Sequence, residues 1–182
     1  MKASELWIFG YGSLIWEPGF PIAEKQIARL TNYRRSFCMR SIHHRGTESD
    51  PGLVLALDRS VGAECFGMAF RVAPEAEENT MEYLRDRELV SSAYLEVQEN
   101  ISLTDNRTVT AVCYIVDTEH VQYCSGLSLE EQAQIISTAA GGRGPNWEYL
   151  SNTATHLDAL GIADPDLDWL TTRVASLRDA KE

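Results

Sequence analysis

Six short runs rich in Val, Ile, Phe, Tyr and Thr, at about 6–10, 30–42, 53–58, 64–72, 94–103 and 108–116, constrain the fold of this chain more than any other feature. β-Branched and aromatic side chains suit a pleated, half-buried backbone. Turn chemistry separates several of the runs, as Glu17-Pro18-Gly19, Asp50-Pro51-Gly52 and Asp105-Asn106. One helix-like stretch interrupts them. It opens near Pro74, carries Glu75, Glu77 and Glu78 at the positive end of the helix dipole, and continues through Met81 and Leu84. Strands this numerous, with so few helical crossovers, predict a largely antiparallel, strongly curved sheet such as a small barrel. After about residue 125 the pattern turns helical. Ser128-Leu129-Glu130-Glu131 starts one helix as a capping box does. A second covers about 145–160 and stops at Gly161, and a third begins at Asp164-Pro165 and fills about 165–180. A chain of 182 residues, 44% hydrophobic, fits one domain with a sizeable core.

Charge and cysteine usage narrow the class. A net charge of −11 argues against nucleic acid or an anionic membrane as a partner. No apolar run approaches the roughly 20 residues of a membrane helix. Met1-Lys2-Ala3-Ser4-Glu5 leads straight into the first strand without a signal-peptide pattern, so a cytoplasmic protein is expected. Cys38, Cys65, Cys113 and Cys124 are widely spaced, three of them in strand-like runs, and read as free thiols in a reducing compartment. Cys-X-X-Cys and His-X3-His pairs do not occur, so no structural zinc site is expected.

Two local features carry chemistry. In Trp7-Ile8-Phe9-Gly10-Tyr11-Gly12-Ser13-Leu14 a buried strand runs into two glycines. Such a turn lets backbone approach another group closely, and its successive N–H groups can form a concave anion site. Gly-X-Gly alone is a common strand ending. The second feature is Glu88, which shares a helix face with Met81 and Leu84 at i, i+3, i+7 spacing. A carboxylate on the core side of a helix, at its negative end, is disfavoured twice over. Both effects would raise its pKa towards the range of a general base. The competing reading is a carboxylate that simply pairs with Arg85 or Arg87, and the residues alone leave the two evenly matched.

Together these features resemble the ChaC-like γ-glutamylcyclotransferases. The resemblance runs through Phe9-Gly10-Tyr11-Gly12-Ser13-Leu14-Ile15-Trp16, Tyr33-Arg34-Arg35-Ser36-Phe37, His44-Arg45-Gly46-Thr47 and Pro51-Gly52-Leu53-Val54. It continues in Gly67-Met68-Ala69-Phe70-Arg71, Tyr83-Leu84-Arg85-Asp86-Arg87-Glu88, Leu127-Ser128-Leu129-Glu130-Glu131, Gly144-Pro145-Asn146 and Tyr149-Leu150. The resemblance implies an α+β fold, a small closed, mostly antiparallel β-barrel with flanking and C-terminal helices. It implies a single domain over 1–182 whose helical part begins near 127. It also implies a cofactor-free, metal-free lyase that splits glutathione, a small-molecule substrate, into 5-oxoproline and cysteinylglycine. By position, Gly10, Tyr11, Gly12, Ser13, Leu14 and Ile15 would bind the γ-glutamyl moiety, and Glu88 would be the catalytic acid/base. One departure stands out: where the family has a glycine-containing pair after that glutamate, this chain has Ser92-Ala93 before Tyr94.

The implied reaction is an intramolecular aminolysis in which the substrate's α-amine attacks its own γ-carbonyl, so no Ser or Cys nucleophile is required. That amine, with a pKa of about 8, is largely protonated near neutrality and needs a base. Among the basic residues Arg34, Arg35, Arg40, His43, His44 and Arg45, Arg40 and Arg45 are the best candidates to meet the anionic glycine end, although strand arginines more often form a solvated face. Tyr94 and Tyr149 could line the pocket or be core tyrosines with satisfied hydroxyls. Asn146 reads first as a helix cap, and His120 and His156 as surface or core-edge residues. Two other functions compete: a non-catalytic γ-glutamyl or carboxylate sensor, and a dinucleotide-dependent oxidoreductase built on Gly10-Tyr11-Gly12. The latter lacks the third glycine, the following helix and the acidic residue about 20 positions on. The sequence leaves oligomeric state and the preferred γ-glutamyl compound open.

Overall fold

The computed structural model describes residues 4–89 and 92–182. These fall into two compact units, Met1–Ser36 with Ala56–Val121, and Phe37–Leu55 with Gln122–Glu182.

The barrel strands are β1 (Trp7–Gly10), β2 (Ile22–Ser41), β3 (Gly52–Val72), β4 (Tyr94–Leu103) and β5 (Thr108–Val116). They close in the order β1-β3-β2-β4-β5. Antiparallel pairing dominates, as expected: β1 on β3 from Trp7↔Arg71 to Gly10↔Met68, β2 on β4 at Ala28↔Leu103, and β4 on β5 from Tyr94↔Val116 to Ser102↔Thr108. The closing seam is parallel, with Trp7↔Ala111 and Ile8↔Val112 between β1 and β5, and Leu57↔Ile115 between β3 and β5. Trp7, Ile8, Phe9, Leu57, Phe70, Ile101 and Tyr114 are buried in this unit.

Two strands are longer than their sequence predicts. The separate runs at 53–58 and 64–72 belong to one 21-residue strand, β3. Gly62 takes a left-handed conformation (φ +85°) inside it, and Asn32 of β2 does the same (φ +64°). The Gly62 N–H donates to Asn32 Oδ1 at 3.1 Å, so the strand passes through this left-handed residue and does not end there. Strand β2 starts at Ile22, ahead of the expected 30, because Glu24 and Gln26 occupy positions that alternation reserves for apolar side chains. Both are satisfied by polar partners: Glu24 pairs with Arg71 (3.2 Å) and Arg107, and Gln26 donates to Asp105 (2.9 Å). The Gln26 hydrogen bond, followed by that of Arg107, holds the Glu24 carboxyl below the usual range.

The helix before β4, α1 (Glu77–Glu88), follows one 3₁₀ turn at Pro74–Ala76. In the second unit α2 (Leu129–Thr138), α3 (Asn146–Ala159) and α4 (Pro165–Asp179) match the three expected helices. Ser128 and Glu131 form the reciprocal capping box, and Asp164 caps α4 through Leu167 N–H. Arg173 of α4 grips Glu130 of α2 with two bonds of 2.9 and 2.8 Å, holding that carboxyl down to about 2. The Arg178 guanidinium stacks on Trp147, 3.8 Å from its ring centre. Between α2 and α3 a small hairpin pairs β6 (Ala140–Gly141) with β7 (Gly144–Pro145).

Asn146 corrects the sequence reading. It is the first residue of α3, and Pro145 holds the cap position. Its side chain bonds the strand backbone instead, accepting from Leu53 N–H and donating to Leu53 C=O, both at 2.8 Å. Among the described residues the cysteines form no disulfide; Cys38, Cys65 and Cys113 are buried, and desolvation pushes the Cys113 thiol up to about 12. Among the described residues no helix is long and apolar enough to cross a membrane.

Candidate active site

Strand β1 is fully buried, and the chain leaves it at Gly10 through a tight turn. The turn closes as a single 3₁₀ turn at Ser13–Ile15, with Ile15 N–H on Gly12 C=O (2.9 Å) and Glu17 N–H on Ser13 C=O (2.9 Å). A helical start leaves its first N–H groups without internal acceptors. Among the described residues those of Gly12, Ser13 and Leu14 have no hydrogen-bond partner. The expected row of backbone donors is therefore present. A dinucleotide fold would continue here into a long helix, whereas this turn ends at Ile15.

Neighbouring strands fix the turn. Arg35 of β2 donates from Nε to the Tyr11 carbonyl at 2.7 Å and from Nη2 to the Phe66 carbonyl. This arginine of the basic stretch thus braces backbone. Gly67 of β3 lies against Gly10 so closely that a Cβ there would sit 2.3 Å from the Gly10 carbonyl oxygen. Substituting Gly67→Ala is expected to push Gly10 outward, destabilise the fold by about 1–3 kcal/mol and raise KM, as measured by thermal melts and steady-state kinetics.

Glu88 is the last residue of α1. Leu84 is fully buried and Met81 half-buried, so the predicted face is the inward one. The Glu88 side chain is 16% exposed and pairs with Arg87 Nε at 3.3 Å, while Arg85 goes to Glu96 with bonds of 3.1 and 3.0 Å. The sheltered acid and the ion pair, posed as alternatives by the sequence, coexist. Arg87 also reaches the turn: Nη2 donates to Ser13 Oγ at 3.0 Å, and Nη1 donates to the Glu17 carbonyl at 2.5 Å and to the Tyr83 hydroxyl at 3.0 Å. One arginine therefore links Glu88 to the cradle.

Sequence reasoning missed two residues of this neighbourhood. Arg87 was visible only as a pairing partner, although Tyr83 four positions earlier marked the face it uses. Tyr114 sits inside the apolar run of β5 and reads as core. It donates to Glu96 at 3.1 Å, and burial, followed by the charges of Glu96 and Glu88, raises its pKa, so it stays protonated throughout the working range. Tyr94 opens β4 in the same unit and shares a strand face with Glu96.

The remaining candidates, Tyr149, Arg45 and Arg40, belong to the second unit. Tyr149 accepts from Leu55 N–H at 3.2 Å, and Phe37 meets its ring edge-on at 6.1 Å. Arg45 lies over that ring at 5.7 Å and donates to the Pro145 carbonyl at 3.1 Å. Arg40 is half-buried near the end of β2, and its backbone exchanges bonds with Gln122, at 2.8 Å through its N–H and 2.8 Å through its C=O. Burial lowers the His44 pKa, and the neighbouring Arg143, His43 and Arg45 lower it further. Among the described residues no group of three His, Cys, Asp or Glu could hold a metal ion. A groove of about 650 Å³ elsewhere in the first unit is lined by Glu5, Trp7, Glu75, Glu77, Glu78 and Met81, none of them a predicted site residue.

Ser92 is one residue of the departure noted after Glu88. Its φ is +58°, a left-handed conformation that glycine adopts without strain and other residues at a cost of about 1–2 kcal/mol. Ser92→Gly is expected to stabilise the protein by about 0.5–1 kcal/mol, read as a raised melting temperature. Val90 and Ser91 lie outside the described residues.

Comparison with known proteins adds four findings. The family described as ChaC-like protein matches residues 6–177. A glutathione-specific gamma-glutamylcyclotransferase of Escherichia coli is 36% identical over 94% of this chain and 74% of its own length. Gamma-glutamylcyclotransferase 2-1 of Arabidopsis thaliana is 41% identical over 80% of this chain and 70% of its own. Among solved structures, a glutathione-specific cyclotransferase from yeast shares the fold with a TM-score of 0.88 at 22% identity, covering 98% of this chain and 99% of that one.

Proposed function

The chain belongs to the ChaC-like protein family, and from that membership we propose that it is a γ-glutamylcyclotransferase acting on glutathione, with Glu88 as general acid/base. The observation that carries the residue assignment is the link from the sheltered Glu88 carboxylate through Arg87 to Ser13 in the donor-lined turn.

The chemistry follows from what each group can do. The substrate's α-carboxylate takes the N–H groups of Gly12, Ser13 and Leu14, which bind an anion without bringing a competing cation. Its α-ammonium then faces Glu88, an anion that draws it in and removes one proton. The freed amine attacks the γ-carbonyl, a C–N bond forms, and the bond to the cysteine nitrogen breaks. The proton held by Glu88 passes to that leaving amine, and the second proton shed by the attacking nitrogen follows it, so the ring closes as a neutral lactam and cysteinylglycine departs as its ammonium. The products are 5-oxoproline and cysteinylglycine, and Glu88 is returned ionised with no water consumed. Holding amine and carbonyl in near-attack geometry supplies several kcal/mol of the rate enhancement, of the about 7–11 available to a well-oriented intramolecular step. Proton transfer by a placed side chain adds about 10²–10⁴-fold.

Incubating the purified chain with glutathione should release 5-oxoproline and cysteinylglycine in equal amounts. Parallel incubations with other γ-glutamyl dipeptides and amines rank the substrates. Absence of 5-oxoproline from every one of them would overturn the assignment.

A further inference from the structure

We propose that Arg87 is a positioning residue of this enzyme, one that locks the catalytic carboxylate to the substrate cradle and itself stays off the substrate. The inference rests on the reading of Glu88 as the base. Consecutive residues on a helix point about 100° apart and do not face each other, so the Arg87–Glu88 pair is not a default of sequence adjacency. It forms because the guanidinium is pinned from elsewhere. Nη1 is held by the Glu17 carbonyl and the Tyr83 hydroxyl, Nη2 by Ser13 Oγ, and Nε is left aimed at Glu88 Oε1. With the side chain only 14% exposed and every nitrogen engaged, Arg87 is built to hold other groups.

Two consequences separate this role from simple structural support. The first is geometric: Ser13 supplies one of the cradle's N–H donors, so its distance from the Glu88 carboxylate is set by one planar, rigid fork. The second is electrostatic: a cation 3.3 Å from the carboxylate favours its ionised form, the form that can accept a proton. Two other ionisable groups described near Glu88 do not supply that charge. Tyr114 of β5 remains a neutral phenol, and Arg85 is committed to Glu96 of β4.

The test is a set of three variants, each assayed with glutathione between pH 5 and 9 and melted in parallel. Arg87→Met removes fork and charge: KM should rise several-fold, kcat should fall at least tenfold, and the acidic limb of kcat/KM should move up by about one pH unit. Arg87→Lys restores charge without the fork, so the limb should return while KM stays raised. Ser13→Ala, the mildest change, should raise KM and leave the limb in place. A folded Arg87→Met enzyme with wild-type KM and an unmoved limb overturns the inference. So does an activity loss that the melting curve alone explains. Should Arg87→Met fail to fold, an unchanged KM in Ser13→Ala is the overturning result. Undiminished activity in Glu88→Gln is a separate outcome, because it removes the base and not the clamp.

Discussion

Glu88→Gln is expected to give a folded protein that releases 5-oxoproline on the order of 10²-fold more slowly, or worse. The amide has the shape of the carboxylate and keeps an oxygen for Arg87 Nε, while Arg87 retains Ser13, Glu17 and Tyr83 as partners. The melting temperature should therefore change little. What the amide cannot do is accept a proton from the substrate's ammonium. The loss should fall mainly on kcat, with a smaller rise in KM from the lost attraction for the ammonium, because the turn still holds the α-carboxylate. Rate and thermal melt measured on one preparation separate the two effects, and wild-type turnover in the variant would remove Glu88 as the base.

Asn146→Ala should destabilise the protein more than a substitution at any other position considered. Asn146 is fully buried, and its side-chain amide completes both hydrogen-bonding groups of Leu53, itself fully buried. Truncation leaves a strand N–H and a strand C=O with no partner in a place water does not reach. Each orphaned group costs about 1–3 kcal/mol, so the pair should cost about 2–6 kcal/mol. For a chain of this size that corresponds to a drop in melting temperature of roughly 4–24 °C. Asn146→Asp places a buried carboxylate oxygen against the Leu53 carbonyl and should cost at least as much. An unshifted melt in the alanine variant would sink this account of the residue.

How much of this was legible in the sequence depends on whether the signal was local. Ser128 with Glu131, and Asp164 with Pro165, announced helix starts because a cap is a contact between near neighbours. The inward face of α1 followed from the spacing of Met81, Leu84 and Glu88, a property of the helix itself. The length of β2 was hidden because Glu24 and Gln26 find their partners in Arg71, Arg107 and Asp105, residues remote in the chain. The continuity of β3 was hidden by Gly62, whose left-handed conformation looks like a turn until Asn32 is seen opposite it. Asn146 and Arg87 share the same reason: each acts on groups 93 and 74 positions away respectively, and no local pattern encodes that.

The parallel seam between β1 and β5 has a consequence for biosynthesis. Trp7 leaves the ribosome well before its partner Ala111, which emerges only after most of the barrel has been made. Until then the first strand lacks one of its two neighbours, so the loop that follows it has no fixed wall behind it. The donor-lined turn is thus a late product of folding, and a nascent chain that stops short of Thr108 should carry the glycine turn without the wall that holds it in place.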